Sequence, residues 1–71
     1  MNDQLSFGVL LKKARKSRGM TQAALADAAQ VHSSYICQLE CGQREPSLQN
    51  LKRLVIALYV SADYLLGLME D

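Results

Sequence analysis

Tryptophan is absent from this chain, and phenylalanine, histidine and proline each occur once. Cysteine occurs twice and aromatic residues make up 6%. Each scarcity excludes something. Few aromatics and one proline suit a compact helical domain better than a sheet or a disordered segment. Two cysteines cannot supply the disulfide framework of a small secreted domain, so reduced thiols are expected. One histidine and two cysteines cannot complete a thiolate-rich tetrahedral site, which needs four ligands, so neither metal nor cofactor is expected. No apolar run approaches the roughly 20 residues that span a bilayer. The N-terminus lacks the basic, apolar and small-residue order of a signal peptide. No membrane association and a cytoplasmic location are the resulting expectations.

What is present is a 71-residue chain, 49% hydrophobic, read as a single domain over residues 1–71. A chain this short buries roughly 60% of its unfolded surface, so its stability margin is thin. It has little room for an enzyme pocket walled off from water. The net charge of +1 implies no partner, but its distribution is uneven. Lys12, Lys13, Arg15, Lys16 and Arg18 crowd together, and no acid stands between Asp3 and Asp27. Asp63, Glu70 and Asp71 collect at the other end. The basic run is either a pole for a polyanion or a solvated helix face.

Helical periodicity organises the chain. Residues 1–4 are read as a flexible tail. Phe7, Leu10, Leu11 and Ala14 predict a helix from about Leu5 to Arg18, stopped by Gly19. Thr21 caps a second helix, Gln22 to about Ala29, without the Glu or Gln three residues later that would complete a capping box. Gln30-Val31-His32 is the turn; a left-handed backbone at Gln30, where glycine is easiest, costs about 1 kcal/mol. A third helix, Ser33 to about Cys41, is capped by His32 or Ser33 and ended by Gly42. Ser47 caps a fourth, with Leu48, Leu51, Leu54, Val55 and Leu58 inward. Ser61 starts a short fifth, Ala62 to Leu66, which Gly67 ends. The expected fold is an all-α, five-helix orthogonal bundle.

The stretch from Thr21 to Gly42 carries most of the functional information. Leu25, Ala26 and Ala29 face inward from the second helix, Ile36 and Leu39 from the third. The small alanines let the two helices cross closely. Ser33, Ser34, Cys37, Gln38 and Cys41 are left outward, a polar face without charge and the shape of a device that lies in a DNA groove. Cys37 and Cys41, four residues apart, share that face; two small side chains is the plain reading, redox or metal sensing the other. Ser33 and Ser34 beside His32 invite a nucleophile argument, but no third group orients the histidine and no oxyanion hole is evident, so an enzyme is not expected.

FG followed by LKKAR, then GMTQAALA, VHSSYICQLECG and PSLQNLKRLVIAL ending in VSADYLLG, together resemble the phage-repressor (Cro-type), or xenobiotic-response-element, helix-turn-helix family. The likeness runs from about Phe7 to Gly67. It implies a lambda-repressor-like bundle with the helix-turn-helix in the second and third helices. It also implies a transcriptional regulator, of repressor or controller type, that binds a palindromic operator in double-stranded DNA as a homodimer. Gln30 departs from the family's usual turn glycine, and the recognition face lacks the Arg or Lys common in strong binders.

Carried over by position, Ser33, Ser34 and Gln38 fall where the family reads base edges, and the Gln38 amide has the chemistry to bond adenine N6 and N7. Either serine also suits a cap or a solvent-facing position. Gln22 falls at the family's phosphate-contacting glutamine, and a helix N-terminus favours an anion there in any case. His32, Tyr35 and Arg44 are further phosphate candidates; a half-buried ring suits Tyr35 equally, and a solvated loop suits Arg44. Arg15 and Glu40 match an ion pair between the first and third helices, a structural role that removes Arg15 from the basic pole. Residues 61–71 are read as the dimerisation end, with Leu65, Leu66, Leu68 and Met69 at the two-fold contact. The competing reading is a protein-binding module, such as an antitoxin or anti-regulator, that docks through those leucines.

Overall fold

The computed structural model describes residues 6–70, with side chains described for residues 6–59. Four helices follow one another: α1 (Phe7–Ser17), α2 (Gln22–Ala29), α3 (Ser33–Glu40) and α4 (Leu48–Glu70). Among the described residues there is no strand. Residues 1–4, expected as a tail, lie outside the described part.

Local chemistry sets the starts. Ser6 Oγ accepts from Val9 N at 3.4 Å, Thr21 Oγ1 from Ala24 N at 3.0 Å and Ser47 Oγ from Asn50 N at 3.1 Å. Each side chain satisfies one of the backbone donors that a helix start leaves free.

The first three helices end alike. A left-handed residue turns the chain, and the next residue's N–H bonds a carbonyl five positions back. These closures are Met20 N to Arg15 O at 3.1 Å, Val31 N to Ala26 O at 2.9 Å and Gln43 N to Gln38 O at 2.9 Å. Gly19 (φ 69°) and Gly42 (φ 82°) supply the left-handed residue twice, and Gln30 (φ 61°) the third time.

Leu11, Leu25, Ala26, Ala29, Ile36, Leu39, Leu54 and Ala57 form the core. Phe7, Met20, Val31, Tyr35 and Leu58 pack around it. α2 packs on both α3 and α4, and α1 packs on α3. Gly8 is buried where α1 meets the end of α3; a Cβ there would lie 2.8 Å from the Glu40 carbonyl oxygen and press on that of Leu39. Only glycine permits this approach.

Two expectations are corrected. The fourth and fifth helices are one, since α4 runs unbroken through Ser61 and Gly67. Serine caps a helix only where the backbone leaves helical geometry, and no proline stands nearby to force that. A glycine inside a helix costs about 1 kcal/mol against alanine, too little to break a long one. Second, Leu10, Leu48 and Val55 are exposed rather than inward. Leu11 takes the inward position on α1. On α4 the buried line is Leu54 and Ala57, which turns Val55 outward and leaves Leu48 at the helix start beyond the bundle's edge.

Candidate nucleic-acid interface

α3 presents its faces according to helical period. Ile36 and Leu39 are fully buried, while Ser33, Ser34, Cys37 and Cys41 are exposed and Gln38 is half-buried. The helix begins at His32, whose Nδ1 accepts from Ser34 N at 3.3 Å. Ser34 Oγ lies 3.0 Å from the same nitrogen. With Nδ1 serving as acceptor, a neutral ring carries its proton on Nε2 and keeps one outward donor. The histidine and serine therefore meet as a helix cap.

Behind this face sits a charged network. Arg15 Nε donates to Glu40 Oε2 at 2.7 Å and Arg15 Nη2 to Glu40 Oε1 at 3.1 Å, a two-pronged contact between α1 and α3. Both side chains are nearly inaccessible, at 8% and 3%. Arg15 Nη1 also donates to Met20 O at 2.8 Å, tying in the turn before α2. Burial pushes the Glu40 carboxyl upward. The hydrogen bonds from Arg15 and Gln22, with the charges of Arg15 and Lys12, outweigh that and leave it below the usual carboxylate range. The Glu40 hydrogen bond holds the Arg15 guanidinium above its ordinary value, against the effect of burial.

Gln22 belongs to the same network. Its Nε2 donates to Glu40 Oε1 at 3.1 Å from the first position of α2. That bond uses one of the two amide hydrogens of a residue at the start of α2, where backbone N–H groups have no partner within the helix. Nothing in the spacing of Gln22 and Glu40 announces the contact, because it exists only after the turn has folded α3 back across α2.

On the other flank, Tyr35 is half-buried against the core and its hydroxyl accepts from Asn50 Nδ2 at 3.0 Å. The exposed Arg44 guanidinium sits over the Tyr35 ring, 5.8 Å from its centre. Sequence reading passed over Asn50, whose only signal was its place in the first turn after the Ser47 cap. It also passed over the anchoring of Arg18, whose Nε donates to Leu58 O at 3.0 Å. Arg15 and Arg18 are thus committed within the fold, and Lys12, Lys13 and Lys16 remain of the basic cluster. Those three line one shallow groove with Val9 and Glu40.

The Cys37 and Cys41 thiols are both exposed, with their sulfurs 4.0 Å apart. The hydrogen bond between them, then the neighbouring charge of Cys41, raises the Cys37 thiol above its ordinary value. The side chains of Leu65, Leu66, Leu68 and Met69 lie outside the described residues.

A capped helix, a left-handed turn and a second helix with a free polar face are thus in place, and a family model described as helix-turn-helix matches residues 11–65. The chain belongs to the helix-turn-helix family. Among similar proteins is an SPbeta prophage-derived uncharacterized HTH-type transcriptional regulator of Bacillus subtilis, 40% identical over 60 residues, covering 84% of this chain and 56% of that protein. The immunity repressor protein of Bacillus phage phi105 is 32% identical over 63 residues, 89% of this chain and 44% of the repressor. The HTH-type transcriptional regulator PrpR of Mycobacterium tuberculosis is 40% identical over 57 residues, 80% of this chain but 12% of PrpR. The helix-turn-helix chain described here spans about half, or less, of the length of these relatives. Among its described residues no helix is long and apolar enough to cross a membrane.

Proposed function

We propose that this helix-turn-helix chain binds duplex DNA sequence-specifically and regulates transcription, with α3 lying in the major groove. One observation carries the reading: α3 buries Ile36 and Leu39 completely while leaving Ser33, Ser34, Cys37 and Cys41 free on its outer side. A helix held rigidly from behind, with small polar residues in front, fits a groove without clash. The printed names of the relatives, transcriptional regulators and an immunity repressor, agree with it.

Within that reading Ser33, Ser34 and Gln38 approach base edges. Gln22, His32, Tyr35 and Arg44 approach phosphates. The Gln22 site combines the start of α2 with an amide already oriented by Glu40. The His32 Nε2 donor and the Arg44 guanidinium lie at the start and just past the end of α3. Because the exposed face of α3 carries no Lys or Arg, affinity depends strongly on phosphate contacts and on DNA shape.

A homodimer on a palindromic operator completes the proposal. Val55, Ile56 and Tyr59 are 56%, 61% and 69% exposed on α4, an apolar surface that a second copy would cover. Leu65, Leu66, Leu68 and Met69 extend the same helix in sequence. Selection of bound duplexes from a random pool should enrich a palindrome, with half-sites about one helical turn apart. Binding should fall steeply between low and moderate salt. Failure to enrich any motif at low salt, together with a stable complex with a different protein, would replace this reading with the protein-binding one.

A further inference from the structure

We propose that Cys37 and Cys41 form a two-thiolate site for a soft, low-coordinate cation of the copper(I) class, and that filling it closes the outer face of α3 to DNA. The second half rests on the DNA-binding function proposed above; the first does not.

The two thiols stand one helical turn apart, both exposed, with sulfurs 4.0 Å from each other. Metal–sulfur bonds of about 2.3 Å, the length seen with zinc, bridge such a gap at an open angle. A near-linear ion needs about 0.6 Å more at that bond length, which exposed side chains supply by rotation.

The donor set then selects the ion. Thiolates favour copper(I), zinc and iron–sulfur clusters. Zinc and the clusters call for about four ligands, and no group of three or more His, Cys, Asp or Glu able to hold a metal exists among the described residues. Glu40, the nearest carboxylate in sequence, is engaged by Arg15 and Gln22. A soft ion content with two ligands is the chemistry that fits.

Binding is a proton exchange: two thiols and one copper(I) ion give a dithiolate complex and two released protons. The complex carries one net negative charge where the face was neutral. Both that charge and the bound ion sit on the same exposed side of α3 as Ser33 and Ser34, opposing its approach to a polyanion.

The test uses the full chain, reduced and free of oxygen, with copper(I) supplied as its acetonitrile complex. Native mass spectrometry should find one copper per chain, accompanied by thiolate-to-copper charge-transfer absorption. Cys37→Ser and Cys41→Ser should each weaken uptake at least tenfold. Loading should lower affinity for the selected duplex at least tenfold, a chelator should restore it, and copper should leave the DNA affinity of the double serine variant, whatever its level, unchanged.

Equal copper uptake by the double variant overturns the site. Unchanged DNA affinity in the loaded chain overturns its blocking role. An unloaded chain that enriches no duplex overturns the DNA reading and with it the blocking step, while copper uptake still decides the site.

Discussion

Gln22 Nε2 donates to Glu40 Oε1, the same oxygen that Arg15 Nη2 reaches, each at 3.1 Å. One buried carboxylate therefore holds the start of α2, the body of α1 and the end of α3 at once. The placement of the proposed phosphate-binding end of α2 relative to the exposed face of α3 is thus fixed by a charge as well as by apolar packing.

Removing either partner of the ion pair strands the other charge in a nearly inaccessible site, which costs about 3 kcal/mol or more. For a domain this small each kcal/mol moves the melting temperature by about 4–8 °C. Arg15→Ala and Glu40→Ala should each lower it by more than about 10 °C in a thermal melt. An unchanged melting curve for either would show that the pair contributes nothing.

Gln22→Ala should separate stability from binding. The lost hydrogen bond is worth about 1–3 kcal/mol, less than the ion pair. Affinity for the selected duplex should drop about tenfold, uniformly across sequences, because phosphate contacts position without reading bases. A loss confined to particular operator bases would instead place Gln22 on a base edge.

The pH dependence has a definite sign. Glu40 titrates below the usual carboxylate range in the folded chain, so the folded state holds it ionised. Its contribution is complete above the ordinary carboxylate value, declines as pH falls towards the lowered value, and is gone below both. Denaturant titrations should therefore show the gap between wild type and Glu40→Gln closing as pH drops through the acid range. A gap that stays constant there contradicts the assignment.

Gln30→Gly should stabilise. The wild-type residue is left-handed at φ 61°, a conformation that costs a side-chain-bearing residue about 1–2 kcal/mol. The greater freedom of glycine in the unfolded chain returns part of the gain. A net increase of about 0.5–1 kcal/mol should appear as a melting temperature a few degrees higher. Destabilisation would mean that the Gln30 side chain makes a contact worth more than the strain.

Gly8→Ala should do the opposite. The added Cβ meets backbone carbonyls of α3, which cannot rotate aside as a side chain can. α1 must then move away from α3, at a cost of about 1–3 kcal/mol. Since Arg15 and Glu40 bridge the same two helices, the variant should also change the acid unfolding profile.

Residues that cap a helix start or turn the chain at its end act through neighbours within a few positions. Thr21, Ser47, Gly19 and Gly42 were therefore legible along the chain, and so were the inward Leu25, Ala26, Ala29, Ile36 and Leu39. Gln30 was legible as well, because the turn needs a left-handed residue whatever occupies it. Periodicity was less informative on α4. Leu48, Leu51, Leu54, Val55 and Leu58 make a stripe broader than the contact; the docking of α2 buries only Leu54 of them, together with Ala57, which sequence reading passed over.

Ser61 and Gly67 carried local signals for a boundary that the continuous helix ignores, since neither costs enough to interrupt it. The sharing of Glu40 between Arg15 and Gln22, and the bond from Asn50 to Tyr35, join residues 25, 18 and 15 positions apart. Side chains so far apart along the chain have no influence on each other until the core brings their helices into contact. Local sequence was enough for the caps at Thr21 and Ser47 and the stops after the first three helices; packing alone chose which faces close, and which charges and amides meet behind the face proposed to read DNA.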